Sequence, residues 1–105
     1  MVISIHSFTP QLNQGEIREV DIGLLVKQDF ETMDKFNQCA KAGYPELRVR
    51  VNEPYSAFDL NYTIDNIANL GRRHLSIEVN QALLKTDQQA QNMASKIADC
   101  LSKIL

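Results

Sequence analysis

The chain has 105 residues, fewer than the ~150 of an average domain, which excludes a multidomain enzyme and predicts a single small domain. Hydrophobic residues make up 44% and charged residues 23%, a globular composition that excludes intrinsic disorder and low-complexity architecture. The net charge of −2 lacks the basic footprint that a phosphate backbone requires, so nucleic acid is not expected as a partner.

Val2-Ile3-Ser4-Ile5 is short and β-branched and reads as a strand beginning directly after Met1. No Lys or Arg precedes it and His6 interrupts it, which is not the pattern of a signal peptide, so a cytoplasmic location is expected. Pro10 to Glu19 is polar and contains Gly15, a loop before a second β-rich run from Val20 to Val26. The longest apolar run, Ile22 to Val26, is far below the ~20 residues of a membrane-spanning helix. Asp29 is a predicted N-cap for a helix with Phe30, Met33, Phe36 and Ala40 on one face, closed by Gly43 as the residue after its last turn.

After Pro45, Leu47 to Val51 alternates apolar residues with Arg48 and Arg50, a strand that delivers the polar loop Asn52-Glu53-Pro54-Tyr55-Ser56. Thr63 to Leu70 has the spacing of a short helix stopped at Gly71. Leu75, Ile77 and Val79 alternate with Ser76, Glu78 and Asn80, a strand with a carboxylate midway along its polar face. From a cap at Thr86 or Asp87, Ala90, Met93, Ala94, Ile97, Leu101, Ile104 and Leu105 fall at helical spacing, a docking helix of about five turns. The alternation of strands and helices predicts an α/β fold with a mixed or parallel sheet flanked by helices. Cys39 and Cys100 lie far apart, form no CxxC pair and fall in helical segments, so they are expected as small buried hydrophobes in a reducing compartment.

Two residues stand out chemically. His6 falls one residue past the first strand, where open α/β sheets gather their sites; the competing reading is a surface or structurally satisfied histidine. Glu78 interrupts a β-rich run, as a cleft carboxylate does, or as a residue turned to solvent does. His74, at a junction before a strand, is expected to be solvated or bonded to backbone. Asn52, Glu53, Tyr55 and Ser56 offer an amide, a carboxylate and two hydroxyls that suit a small ligand or a turn held by Pro54. Because His6, Asn52 and Glu78 follow three separate β-rich runs, the three polar strand ends are expected on one rim of one sheet.

In order along the chain, His6-Ser7-Phe8-Thr9-Pro10, Asn52-Glu53-Pro54-Tyr55-Ser56, Tyr62-Thr63 and His74-Leu75-Ser76-Ile77-Glu78-Val79 resemble the N-formylglutamate amidohydrolase family, from His6 to the final helix. The resemblance implies part of a zinc-carboxypeptidase-like (phosphorylase/hydrolase-like) fold, with residues 1–105 as one partial domain. It implies that His6 is a zinc ligand and Glu78 the general base, with Ser7, Asn52, Tyr55, Ser56 and Asn80 around the substrate. The implied reaction is hydrolysis of N-formyl-L-glutamate to formate and glutamate, a step of histidine degradation. The early family segment with the remaining zinc ligands has no counterpart here. Asn80 and Ala82 stand where relatives carry an arginine and an aspartate, and Ile67 falls near where relatives often carry a histidine. The expectation is therefore a C-terminal half that binds zinc weakly or not at all alone and is inactive alone. A separate chain supplying the missing half, or a homo-oligomer, would then be its protein partner; the alternative is a non-catalytic remnant that binds a small acid or a protein.

Overall fold

The computed structural model describes residues 1–11, 14–54 and 71–105. In chain order they form β1 (Val2–Phe8), β2 (Ile22–Leu25), helix α1 (Phe30–Gly43), β3 (Val49–Val51) and β4 (His74–Asn80). A single 3₁₀ turn (Gln81–Leu83) then leads to helix α2 (Asp87–Ile104). The helix predicted at 63–70 lies outside the described residues.

The strands form a mixed sheet in the order β1-β4-β2-β3, as the alternating pattern predicts. β1 runs parallel to β4, β2 antiparallel to β4, and β3 parallel to β2. β4 is therefore central, and all seven of its residues are buried. Leu75, Ile77 and Val79 face one side with Ile22 and Leu24 of β2, and the two helices cover that side. From α1 come Met33, Phe36 and Ala40; from α2 come Met93, Ile97, Cys100 and Ile104. The period of two in β4 thus meets the period of 3.6 in the helices, and the core forms where the apolar sides coincide.

Both helix starts are where the sequence places them. The Asp29 side chain accepts the Thr32 N–H at 3.1 Å, and Thr86 forms a reciprocal capping box with Gln89, satisfying amides that the first turn leaves without partners. At the other end of α1, Gly43 belongs to the helix instead of following it. Tyr44 closes the helix, its N–H donating to Ala40 O at 2.8 Å. On α2 the buried stripe is Met93, Ile97, Cys100 and Ile104, while Ala90, Ala94 and Leu105 are exposed.

Two strand expectations need correction. β1 continues to Phe8, so His6 lies within the strand and not beyond it. Among the described residues β1 is the sheet's edge strand, and polar residues such as Ser4, His6 and Ser7 are tolerated in such a strand. The second correction concerns direction: β3 runs opposite to β1 and β4, so Asn52 leaves the sheet at the end where β4 begins. The three polar motifs do not share a rim.

Candidate functional site

The pairing of β1 with β4 sets His6 directly beside Glu78 as cross-strand partners. Partners in register point to the same face, on strands spaced ~4.8 Å apart. This is the face opposite the helices, shared with His74, Ser76 and Asn80 of β4 and with Gly23 of β2, which is the other cross-strand partner of Glu78. Glu78 is not turned to solvent: it is 2% exposed. His6, on the edge strand, is exposed.

A carboxylate this deeply buried carries a large desolvation cost that only polar surroundings offset. Part of those surroundings arrives by a route that the strand pattern does not reveal. After β3, the segment 52–54 folds back across the sheet and lays the Glu53 carbonyl over Gly23. A side chain at position 23 would overlap that carbonyl oxygen and stand 3.5 Å from Glu78 Cβ. The absence of a Cβ at Gly23 is what lets the segment lie beside Glu78. Asn52 fixes the fold-back, with φ of 53° in the left-handed region that asparagine tolerates better than most residues. Its Oδ1 accepts the Val26 N–H and its Nδ2 donates to Val26 O, both at 3.0 Å, while its own N–H donates to Leu24 O at 2.9 Å.

The remaining sequence-derived site residues divide clearly. Asn80 is committed to structure: its amide donates to Val20 O at 2.9 Å and its Oδ1 accepts the Ala82 N–H at 2.9 Å. Ser7 sits beside Val79 on the helix side of the sheet, the face away from Glu78, and its hydroxyl accepts from Gln81 Nε2 at 3.2 Å. Tyr55 and Ser56 lie outside the described residues. His74 is buried and backbone-bonded, with Nδ1 2.8 Å from Arg72 O.

Two acidic residues hold the margins of this face: Asp21, which the sequence did not single out, and Asp29, expected only as a helix cap. Asp21 accepts from Arg48 through its backbone N–H (2.7 Å), Nε (3.3 Å) and Nη2 (2.9 Å). Burial pushes its carboxyl up, but the hydrogen bonds and charge of Arg48 outweigh that and hold it below its ordinary value. Asp29 does the same at the start of β4. Burial raises its carboxyl, and bonds from the Thr32 hydroxyl, the His74 N–H and the Thr32 N–H lower it further than burial lifts it. Asp29 thus caps α1 and anchors β4 at once.

On the helix side, a groove of about 610 Å³ opens between β1 and α2, lined by Ile5, Ser7, Leu84, Met93, Ile97 and Leu101 among others, with His6 at its rim. Ile5 is 56% exposed there. No helix among the described residues is long and apolar enough to cross a membrane. Among the same residues, no three His, Cys, Asp or Glu side chains come together as a metal-holding group.

No family model matches the chain, and no curated protein does. Among solved structures, the crystal structure of gene product Atu2144 from Agrobacterium tumefaciens is similar, with a TM-score of 0.75 and 29% identity. The match covers 97% of this chain and 42% of that one, so the chain spans less than half the length of that protein. The likeness supports an α/β fold for this chain.

Proposed function

We propose that this chain is the Glu78-bearing portion of an N-formylglutamate amidohydrolase-like unit, acting on an N-acyl amino acid only when residues outside this sequence complete the site. The observation that supports the reading best is the cross-strand pair of His6 and Glu78 with the Glu53 backbone laid over the neighbouring Gly23. Three of the motifs that carry the resemblance thereby meet at one place. In this reading Glu78 is the proton acceptor for hydrolysis, in a buried setting where a single carboxylate has strong electrostatic influence.

The residues described do not make a zinc site. His6 offers one ligand, whereas catalytic zinc takes three from protein. General-base help from one residue is worth ~10²–10⁴-fold, well below the ~10⁶-fold or more expected of an enzyme. The chain by itself is therefore expected to be inactive. Asn80 adds a second deficit: its amide is used within the fold, and it cannot replace a bidentate arginine on a substrate carboxylate.

The place for the completing residues is the edge of β1. Among the described residues that edge is seven residues long and opens onto the apolar groove, whereas the opposite edge, β3, is three residues long, preceded by Arg48 and carrying Arg50. Long, apolar, unguarded edges recruit strands, and short charged ones repel them. A second copy of the chain or a separate chain would fit this edge.

The test is a titration of the isotope-labelled chain with N-formyl-L-glutamate, followed by amide shifts, beside an assay for released formate. Shifts centred on His6, Gly23, Glu53 and Glu78 with no turnover are expected. Turnover by the chain alone that survives a chelator overturns the reading. Turnover that a chelator abolishes shows that a metal shell assembles within the chain or its oligomer. Shifts that avoid the Glu78 face favour the alternative, a protein-binding remnant.

A further inference from the structure

The connection from β1 to β2 takes no part in the chemistry proposed above, yet it returns to the same face of the sheet. Gln11 bridges Ile17 in antiparallel fashion, Gln11 Nε2 donates to Gly15 O at 2.6 Å, and the Arg18 N–H donates to Pro10 O at 2.7 Å. Arg18 is thereby brought back to the end of β1. Its Nη1 donates to Thr9 O at 3.2 Å, and its guanidinium lies over the Phe8 ring, 5.9 Å from the centroid. From β4 the Asn80 amide donates to the Arg18 carbonyl at 3.4 Å.

The strand register shows which face this is. Phe8 pairs with Asn80 as His6 pairs with Glu78, so by the period of two all four side chains share the face opposite the helices. Phe8 is accordingly buried without belonging to the helix-side core. Arg18 therefore stands level with Phe8 and Asn80, two residues and roughly 7 Å along the strands from the His6–Glu78 pair. A cavity of about 420 Å³ is lined by Arg18, Gly15 and Glu16 on one side and by Pro54 on the other. Pro54 directly follows Glu53, whose carbonyl lies over Gly23, the cross-strand partner of Glu78. The cavity thus separates Arg18 from the segment that reaches Glu78.

We propose that Arg18 is the specificity-determining residue of this face, clamping the side-chain carboxylate of an N-acyl dicarboxylic amino acid whose acyl amide meets Glu78. This rests on the reading of Glu78 as the proton acceptor, and it narrows the ligand class. A guanidinium is a planar fork that takes a carboxylate through two parallel bonds. Contacts to Phe8 and Thr9 hold this one in place before any ligand arrives, which reduces the ordering cost of binding. Ligand length decides which carboxylate it takes. In N-formyl-L-glutamate the formyl carbon is at most ~3.8 Å from the α-carboxyl carbon but up to roughly 6 Å from the side-chain carboxyl carbon. Only the second distance approaches the ~7 Å step between Glu78 and the level of Arg18. Asn80, no carboxylate clamp itself, is a positioning residue through its bond to the Arg18 carbonyl. Glu16 also lines the cavity, but it is exposed and solvent screens its repulsion.

The experiment titrates the isotope-labelled full chain with N-formyl-L-glutamate and, separately, with N-formyl-L-glutamine, which keeps the formyl amide and the α-carboxylate but lacks the second charge. Amide shifts and the Arg18 Nε–H resonance are followed. Wild type should bind the glutamate compound at least ~10-fold more tightly than the glutamine compound, with Arg18 Nε–H moving for the former alone. Arg18→Gln should weaken the glutamate compound by at least ~10-fold and leave the glutamine compound within about twofold, a selective loss that a merely structural role would not produce. Arg18→Lys, which keeps the charge without the fork, should restore only part of the preference. Equal wild-type affinities, no binding of either compound, or an Arg18→Gln protein that keeps the preference overturns the proposal. Shifts at His6, Gly23 and Glu78 alongside equal affinities would leave the Glu78 reading standing. An Arg18-dependent preference with no shift at Glu78 would instead uphold the clamp and overturn the Glu78 reading. The comparison of the two compounds on wild-type protein decides the matter even if a variant fails to fold.

Discussion

Gly23→Ala is the smallest change that should disturb both the fold and the candidate site. The added methyl would overlap the Glu53 carbonyl oxygen and lie 3.1 Å from the carbonyl carbon. The obstacle is backbone, so no side-chain rotation relieves it, and the 52–54 segment must lift off the sheet. Overpacking of this kind costs ~1–3 kcal/mol. Displacing Asn52 also loosens its two bonds to Val26 and its N–H bond to Leu24, each worth ~0.5–1.5 kcal/mol. A loss of about 3 kcal/mol is expected, a large part of the ~5–15 kcal/mol that holds a domain together. Gly43→Ala is the control, because a methyl there meets nothing within 4 Å and the position is helical; it should stabilise by up to ~0.5–1 kcal/mol. Urea unfolding measures both, and amide spectra report whether residues 52–54 and 78 shift in the Gly23 variant. A Gly23→Ala protein within ~0.5 kcal/mol of wild type, with the amides of residues 52 and 53 unmoved, would refute the account of how the segment reaches Glu78.

Four further outcomes are expected. Asp21 and Asp29 have folded-state pKa values below the ordinary ~3.9 of an unfolded aspartate; their stabilisation is therefore complete above about pH 5 and is lost as pH falls through the lowered values. Tm should be flat above that pH and fall below about pH 4, and Asp21→Asn should shrink the acid-dependent part of the drop. Ile97→Ala, a deletion in the core beneath α2, should cost ~2–4 kcal/mol in urea unfolding. Thr86→Ala, which removes the capping box, should cost ~1 kcal/mol and lower helicity at the start of α2 by circular dichroism. If a second copy covers the β1 edge, light scattering should show a concentration-dependent dimer that Ile5→Lys abolishes, while the fold and Tm remain within error of wild type.

The elements that were legible in the sequence are those that nearby residues decide. Asp29 followed by Phe30, Met33, Phe36 and Ala40 marks α1, and Thr86 with Gln89 marks the start of α2, because caps and periodicity act over one or two turns. β4 was equally plain from its alternation. What long connections decide was not legible. The direction of β3 depends on how the chain returns between residues 52 and 73, and no local pattern fixes it, so the expected common rim of His6, Asn52 and Glu78 does not exist. β1 runs past His6 because an edge strand needs only one satisfied side. Gly23 did leave a signal: a glycine inside a β-rich run indicates close backbone approach.

β4 separates two kinds of work by the parity of its residues. Leu75, Ile77 and Val79 supply the apolar face on which both helices depend, and that face would form equally well with any hydrophobic residues at 76 and 78. Ser76, Glu78 and Asn80 are as deeply buried, so the second face gains nothing from desolvation alone and loses free energy wherever polarity is not matched. Asn80 meets that demand by capping and by binding the Val20 carbonyl, a structural use that fully accounts for an asparagine there. The neighbours of Glu78 in register are the imidazole-bearing His6 on one side and, on the other, a glycine whose missing side chain admits the Glu53 backbone. A strand selected for stability alone would carry a β-branched residue at 78 and a larger one at 23. The coincidence of a buried carboxylate, a side chain withheld beside it and a backbone segment led into the space is the pattern expected of a site, and it sits at a position in β4 that strand propensity disfavours.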